Sequence, residues 1–180
     1  MPKISRGGIK LWPFLLSLQT NQPKNDITPY AMNYDISLQL PEGWNSEIEK
    51  YEESEGVLIT HLAARRTGAD GKGGSASVEL FVGEMPADTT AEDEAYANYA
   101  EIIGWDGDED DECSVAEWKF MGKKAYGFSG ECEDGSIMLL MCQEFSKGHL
   151  MICTIVAPDD KEVGGLAEYL GTHLRIKVLK

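Results

Sequence analysis

The sequence predicts an α+β fold, a three-layer α/β/α sandwich whose central layer is an antiparallel sheet. Residues 113–158 read as four consecutive strands joined by tight turns, which is the pattern of an antiparallel meander. The centres of these strands are apolar at both odd and even positions, so both faces of the sheet need a covering layer. Two amphipathic stretches, residues 89–104 and 159–174, are predicted helices that supply this cover.

The meander is defined by three turn pairs, Gly122-Lys123, Asp134-Gly135 and Lys147-Gly148. Each is typical of a two-residue hairpin loop, and Asp-Gly between apolar runs is among the strongest hairpin signals. Loops of this length sort the apolar side chains into two faces. One predicted face holds Val115, Phe128, Gly130, Leu139, Met141, Ile152 and Val156. The other holds Ala116, Trp118, Phe120, Leu140, Cys142, Cys153 and Ile155, with Trp118 opposite Gly127.

The four cysteines contain no CxxC pair and no zinc-ligand spacing. The predicted register places Cys113 opposite Cys132 and Cys142 opposite Cys153, with α-carbons about 5.5 Å apart. This distance permits a disulfide without requiring one, so cross-strand disulfides and buried thiols both stay open. Buried thiols are the simpler interpretation and suit a reducing compartment, so we expect a cytoplasmic location.

Residues 1–33 are expected to form a basic arm and linker ahead of a single domain at residues 34–180. Four basic residues and one acidic residue give the arm a net charge of +3, and since the whole chain carries −15, the domain carries −18. A short apolar run in the arm is interrupted by Pro13 and lacks a cleavage pattern. An uncleaved arm is preferred, with an atypical export signal in residues 1–20 or a surface anchor as alternatives. The run is too short to span a membrane.

Four strands are predicted between the arm and the first helix. They cover residues 34–40, 47–53, 56–66 and 75–85. The glycine-rich stretch between the last two strands is not a phosphate loop, because Lys72 is followed by Gly73 and not by Ser or Thr. It is predicted to be a hairpin loop.

The first predicted helix begins at Thr89 or Thr90, followed by three acidic residues that complement the exposed amides of its first turn. Its apolar stripe consists of Ala95, Tyr96, Tyr99, Ile102 and Ile103. Asp159 or Asp160 caps the second helix, whose stripe consists of Val163, Leu166, Ala167, Leu170 and Leu174. A short edge strand from Leu174 to Val178 is predicted to follow.

No catalytic or cofactor site is predicted. Asp106, Asp108, Asp110 and Glu117 stand at four liganding positions of a calcium loop, but Asp111 occupies the position that needs glycine. A solvated acidic loop is therefore preferred over a calcium site. The sequence around Ser129 departs from the nucleophile elbow. None of the three histidines has a carboxylate or cysteine partner nearby in the sequence at ligand spacing, so each is expected to be a surface or capping residue.

A resemblance to a known superfamily covers about residues 34–178. Pro41, Gly43 and Trp44 after the first strand, Ala125-Tyr126 in the meander and Ala157-Pro158 before the last helix carry it. In these residues and in element order the chain resembles the superfamily of the photosystem II extrinsic protein PsbP, the Ran-binding Mog proteins and the bacterial chaperones of type VI secretion effectors. The resemblance implies the same three-layer sandwich and a non-enzymatic role in binding other proteins.

These observations lead to three hypotheses. The first is a non-enzymatic protein-binding module, adaptor or chaperone-like, with an exposed groove for its partner. The second is an immunity or inhibitor protein whose acidic body blocks a basic site. The third is an enzyme or a calcium-dependent factor. The acidic domain repels phosphate backbones, so no nucleic-acid partner is expected. The candidate partner-binding residues are Trp44, Trp118, Tyr126 and Phe128, although aromatic residues on buried strands more often belong to the core.

Overall fold

The computed structural model describes residues 3–4, 33–54, 57–66, 75–103 and 114–179. Over these residues the chain is an α+β protein with two helices and a mainly antiparallel sheet, which confirms this part of the predicted fold. The strands are β1 (Lys3–Ile4), β2 (Asn33–Leu38), β3 (Trp44–Ser54), β4 (Val57–Arg66), β5 (Ala76–Glu84), β6 (Ala116–Phe120), β7 (Lys123–Cys132), β8 (Ile137–Ser146), β9 (His149–Ala157) and β10 (Leu174–Leu179). The helices are α1 (Ala91–Ile103) and α2 (Asp160–His173).

The large sheet has the strand order β1-β7-β8-β9-β5-β4-β3. Strand β3 forms one edge of it. At the other edge, β6 pairs with the first half of β7, and the two residues of β1 pair with Glu131 and Cys132 at its end. All these pairings are antiparallel except that of β1, which runs parallel to β7. Two residues of the predicted arm are therefore part of the sheet.

The first hairpin of the meander turns one residue earlier than predicted. Met121 and Gly122 form its two-residue loop with φ values of 49° and 79°. Two positive φ values define a type I′ turn, in which glycine favours the second position. Trp118 consequently faces Ala125, and the prediction that it faces Gly127 is wrong. The residue of β7 opposite each β6 position thus lies two residues earlier than predicted. Because side chains alternate with a period of two, the side chains of β6 keep their predicted face.

The second hairpin has a three-residue loop in place of the predicted two. The Gly135 N–H donates to the Cys132 carbonyl at 2.9 Å, and the Cys132 N–H donates to the Ser136 carbonyl at 2.7 Å. With a φ of 80° at Gly135, this is a type I turn followed by a glycine bulge. The extra loop residue moves the register of β8 by one and turns its side chains to the other face. The predicted faces of Leu139, Leu140, Met141 and Cys142 are therefore exchanged.

The third hairpin follows the prediction only next to its turn. Ser146 faces His149, as a two-residue loop requires, but a bulge between Glu144 and Ser146 shifts the register beyond it. Cys142 therefore faces Ile152. In a bulge of this kind, two residues of one strand stand opposite a single residue of the neighbouring strand. The residues of the turn do not predict it.

The same shift separates the two cysteines that were predicted to face each other. Cys142 and Cys153 lie on opposite faces of the sheet, so the predicted pairing is wrong. Cys132, Cys142 and Cys153 are all buried free thiols. Cys113, the predicted partner of Cys132, lies outside the described residues.

The two faces of the large sheet carry separate apolar clusters. The face that packs against α1, hereafter the α1 face, includes Phe128, Leu140 and Ile152. The face that packs against α2, the α2 face, includes Met141 and Cys153. The alternation of side chains along each strand produces this division, because neighbouring residues point to opposite faces.

Each helix begins with a side-chain cap. Thr90 Oγ1 accepts the Asp93 N–H at 3.1 Å while Asp93 Oδ2 accepts the Thr90 N–H at 2.9 Å. Asp159 Oδ1 accepts the Glu162 N–H at 2.8 Å at the start of α2. The predicted caps at Thr90 and Asp159 are confirmed. Tyr96 was wrongly placed in the apolar stripe of α1, because 38% of it is exposed.

Strands β2 and β10 form a separate two-stranded antiparallel sheet. Its apolar side chains, among them Tyr34, Ile36 and Leu174, belong to the cluster of the α2 face. The Tyr34 hydroxyl and His149 Nδ1 share a buried hydrogen bond of 2.9 Å. The predicted edge strand after α2 is confirmed, and it closes this small sheet with the first strand of the domain.

Candidate functional site at the acidic sheet edge

The four aromatic residues predicted to bind a partner do not share one surface. Phe128 is buried and packs edge-on against Tyr99, with ring centroids 5.1 Å apart, so it is a core residue. Tyr126 is half-buried on the α1 face. Trp118 and Trp44 are half-buried on the α2 face, in β6 and β3 near opposite edges of the sheet. No single partner surface therefore includes all four.

Trp118 lines a recess of about 360 Å³ on the surface of β6 and β7. Leu139 contributes to its apolar wall and Ser129 to its polar rim. The recess has room for one side chain of a partner. Among the described residues that line it, none carries a charge that would select the chemistry of that side chain.

A second cavity of about 490 Å³ lies where α1 begins and includes Tyr126 and three lysines. Lys124 Nζ pairs with Glu117 Oε2 at 2.8 Å, and Lys123 Nζ donates to the Phe145 carbonyl at 2.6 Å. The hydrogen bond within the first pair is the main cause of a lowered Glu117 pKa and a raised Lys124 pKa. Two of the three ammonium groups are thus already bound within the chain.

The calcium candidates are not brought together by the described structure. Asp106, Asp108 and Asp110 lie outside the described residues. Glu117 lies in β6 and pairs with Lys124. In the part of the chain that the structure describes, no group of three or more His, Cys, Asp or Glu side chains is placed to hold a metal ion.

Strand β3 presents the most distinctive exposed surface. It is 11 residues long, and residues 45–50 are all exposed. Its inner side pairs with β4 over residues 44–52 without a register shift. No strand within the described ranges pairs with its outer side. The main-chain N–H and C=O groups on that side therefore form a regular row that can accept another strand.

The side chains of β3 give this row a charge pattern. Glu47 and Glu49 point to the α1 face, because they stand opposite Ala63 and His61 of β4. Ile48 points to the α2 face and is 49% exposed. We call Glu47, Ile48, Glu49 and the outer main chain of β3 the acidic edge. Its outward surface combines hydrogen-bonding backbone, negative charge and one apolar contact.

A cluster of charged side chains lies beside the acidic edge on the α1 face. His61 Nε2 and Glu79 Oε2 are 2.5 Å apart, and Arg65 Nη2 donates to Glu79 Oε1 at 3.2 Å. The His61 ring stacks flat on Phe81, with centroids 4.3 Å apart. Burial would raise the pKa of Glu79, but its bonds to His61 and Arg65 outweigh burial and lower the pKa. These contacts fix the His61 ring directly behind Glu49.

Sequence reasoning missed this cluster. His61 was expected to be a surface or capping residue because no carboxylate lies near it in the sequence, yet Glu79 reaches it from the neighbouring strand, 18 residues away. A signal was present, because Glu79 alternates with the apolar residues Val78 and Leu80 and so had to point away from them. The other two histidines also have partners: His149 bonds to the Tyr34 hydroxyl, and His173 stacks on the ring of Tyr169.

Comparisons of the chain with protein-family models, curated proteins and solved structures find no match. In the described parts of the chain, neither helix has the length and apolar character needed to cross a membrane.

Proposed function

We propose that the protein is a binding module that receives an extended segment of another protein along β3. The segment adds a strand to the acidic edge and forms main-chain hydrogen bonds with its outer row. The observation that carries this proposal is the unbroken pairing of β3 on its inner side only, over residues 44–52 of the described structure. A regular strand of this length offers a partner a ready template.

Charge supports a basic partner over a second copy of this chain. Charged side chains on an edge strand commonly prevent pairing between identical edges. Here Glu47 and Glu49 point to the same face, so two acidic edges side by side would place like charges together. A basic segment instead places positive charges beside these glutamates, and it is also attracted by the net charge of −15.

Other features are proposed with this function. The domain is a three-layer α/β/α sandwich of the PsbP/Mog-like superfamily, which the separate apolar clusters of α1 and α2 support. It acts without catalysis, as that resemblance implies. A basic segment, residues 1–33, precedes it and contributes Lys3 and Ile4 to the sheet. The protein works in the cytoplasm, since buried free thiols suit a reducing compartment.

The test is an affinity capture from source-cell lysate at low and high salt with three forms of the full chain. These are the unmodified protein, the Glu47→Lys/Glu49→Lys variant and a control, Glu133→Lys/Glu168→Lys, which changes the net charge equally at two exposed sites outside β3. Mass spectrometry identifies the captured proteins. We expect one stoichiometric partner that the edge variant loses and the control retains.

The position of the exchanged charges and the steepness of the salt effect together distinguish this proposal from the acidic inhibitor, the second candidate that the net charge of −15 favours. An inhibitor that covers a folded basic site by its overall field would be weakened similarly by both double variants and steeply by salt. Strand addition also uses uncharged main-chain hydrogen bonds, so salt weakens it less steeply. It depends on the charges of Glu47 and Glu49 in particular, so only the edge variant loses the partner. Equal loss of the partner in both variants would contradict the edge proposal.

A further inference from the structure

We infer that the partner segment contains the pattern basic–apolar–basic, an inference that rests on the proposed function and names its ligand class. The pattern follows from three consecutive residues of the acidic edge. Glu47 and Glu49 point to the α1 face, and Ile48 between them points to the α2 face. The side chains of a strand added beside β3 alternate between the two faces in the same way. Three consecutive residues of that strand therefore stand opposite Glu47, Ile48 and Glu49, each on the same face as its neighbour.

The α1 side of the pattern is electrostatic. Residues of the added strand opposite Glu47 and Glu49 have their β-carbons within about 5.5 Å of those of the glutamates. Lysine or arginine at these two positions pairs with the carboxylates, whereas acidic residues there are repelled. Opposite Glu49 on β4, the His61 ring is already held by Glu79 and Phe81, and Glu49 itself is exposed.

On the α2 face, an apolar residue is favoured opposite Ile48, and a basic residue is disfavoured at the next position on that face. Ile48 stands opposite Leu62, which belongs to the cluster of the α2 face. An apolar residue placed against Ile48 extends this cluster and covers the half of Ile48 that is now exposed. The next residue on that face is Lys50, so a basic residue opposite it is disfavoured.

The pattern is the same in both chain directions, so it holds for parallel and antiparallel addition. It also requires the two basic residues to be separated by one position. Adjacent basic residues point to opposite faces of a strand, and only one of them can then meet a glutamate of the edge.

Two peptides of equal composition test the inference with the full-length protein at low salt. One is Thr-Thr-Lys-Val-Lys-Thr-Thr, and the other, Thr-Thr-Lys-Lys-Val-Thr-Thr, has its lysines adjacent. Fluorescence anisotropy with a terminal label measures the two dissociation constants. We expect the first peptide to bind about threefold more tightly, since it forms one more cross-strand charge pair than the second peptide.

A charge exchange provides the matched control. The Glu47→Lys/Glu49→Lys variant is expected to lose the preference for the first peptide and to bind Thr-Thr-Glu-Val-Glu-Thr-Thr more tightly than the unmodified protein binds that acidic peptide. Circular dichroism verifies that the variant is folded; the exposed positions of both glutamates make this the expected result.

The outcomes separate the inference from the proposed function. Equal binding of the two lysine peptides would overturn the pattern while leaving strand addition intact. A partner captured through the acidic edge that contains no basic–apolar–basic segment would also overturn it. Loss of edge-dependent capture together with no binding of either peptide would instead remove the proposed function itself.

Discussion

At the residue scale, Thr154 places a polar hydroxyl group in the buried interior of the sheet. It is buried in β9, and its hydroxyl has no hydrogen-bond partner among the described residues. A buried hydroxyl without a partner keeps its full desolvation cost, and valine has nearly the same shape. We expect Thr154→Val to raise the free energy of unfolding by about 1 kcal/mol. Urea denaturation measures this change.

Thr154→Ser is the control for that substitution. It keeps the hydroxyl and removes the methyl group, so it should lower the free energy of unfolding, because a buried methyl contact is lost. A destabilised Thr154→Val variant would mean that the hydroxyl forms a bond that the described structure does not contain.

The buried thiols illustrate how burial controls reactivity. Burial raises the pKa of Cys153 to about 12 and, with smaller contributions from Glu94 and Cys153, raises the pKa of Cys142 well above its ordinary value. Only the thiolate is a nucleophile. We expect neither cysteine to react with iodoacetamide at about pH 8 in the folded protein and both to react once the protein is unfolded. Peptide mass mapping distinguishes the sites, and rapid labelling of either in the folded state would contradict the expectation.

At the scale of elements, the start of α2 depends on one side chain. Asp159 accepts a hydrogen bond from the Glu162 N–H, and replacing such a cap by alanine typically costs about 1 kcal/mol. Asp159→Ala should therefore lower the free energy of unfolding by about that amount, as measured by thermal or urea denaturation. Asn caps helices equally well, so Asp159→Asn should retain most of the stability. Similar losses in both variants would show that the charge matters and the cap does not.

The meander shows how local signals locate strands without fixing their register. The three turns were found from Gly122, Gly135 and Gly148, each of which has a positive φ. The length of the loop around each glycine was not encoded as clearly. One additional residue in the loop at Gly135 was enough to exchange the faces of β8.

At the scale of the whole molecule, the burial of protonated tyrosine and cysteine side chains predicts a loss of stability at high pH. Burial, and secondarily the charge of Glu84, raises the pKa of Tyr34, and burial raises the pKa values of Cys142 and Cys153. The folded chain keeps these protons, while the unfolded chain releases them above about pH 9. Stability is therefore complete below that pH and decreases above it, by about 1.4 kcal/mol per pH unit for each fully buried thiol.

Urea denaturation between about pH 8 and pH 11 measures this decrease. The Tyr34→Phe variant is the control. It removes one of the titrating groups, so its stability should start lower, because the bond to His149 is lost, but should decrease less steeply with pH. Identical slopes in the two proteins would contradict the assignment to Tyr34.

The candidate site was only partly accessible to sequence reasoning. Trp44 was singled out, and it lies at the start of β3, with the Arg66 guanidinium 5.8 Å from its ring centroid. The polar strand after it was also predicted, although its first residues were left out. That β3 forms an edge could not be inferred, because strand order depends on contacts between distant segments.

The sequence by itself determined the class of the fold, nearly all its strands and helices, the helix caps and the acidity of the body. These properties depend on local composition and on periods of two or 3.6 residues, which a sequence displays directly. The tertiary structure decided the face of each β8 side chain, the separation of Cys142 from Cys153, the pairing of His61 with Glu79 and the place of β3 at the edge of the sheet that the described residues form. Each of these depends on loop lengths, bulges or strand order, where a change of one residue alters every contact downstream.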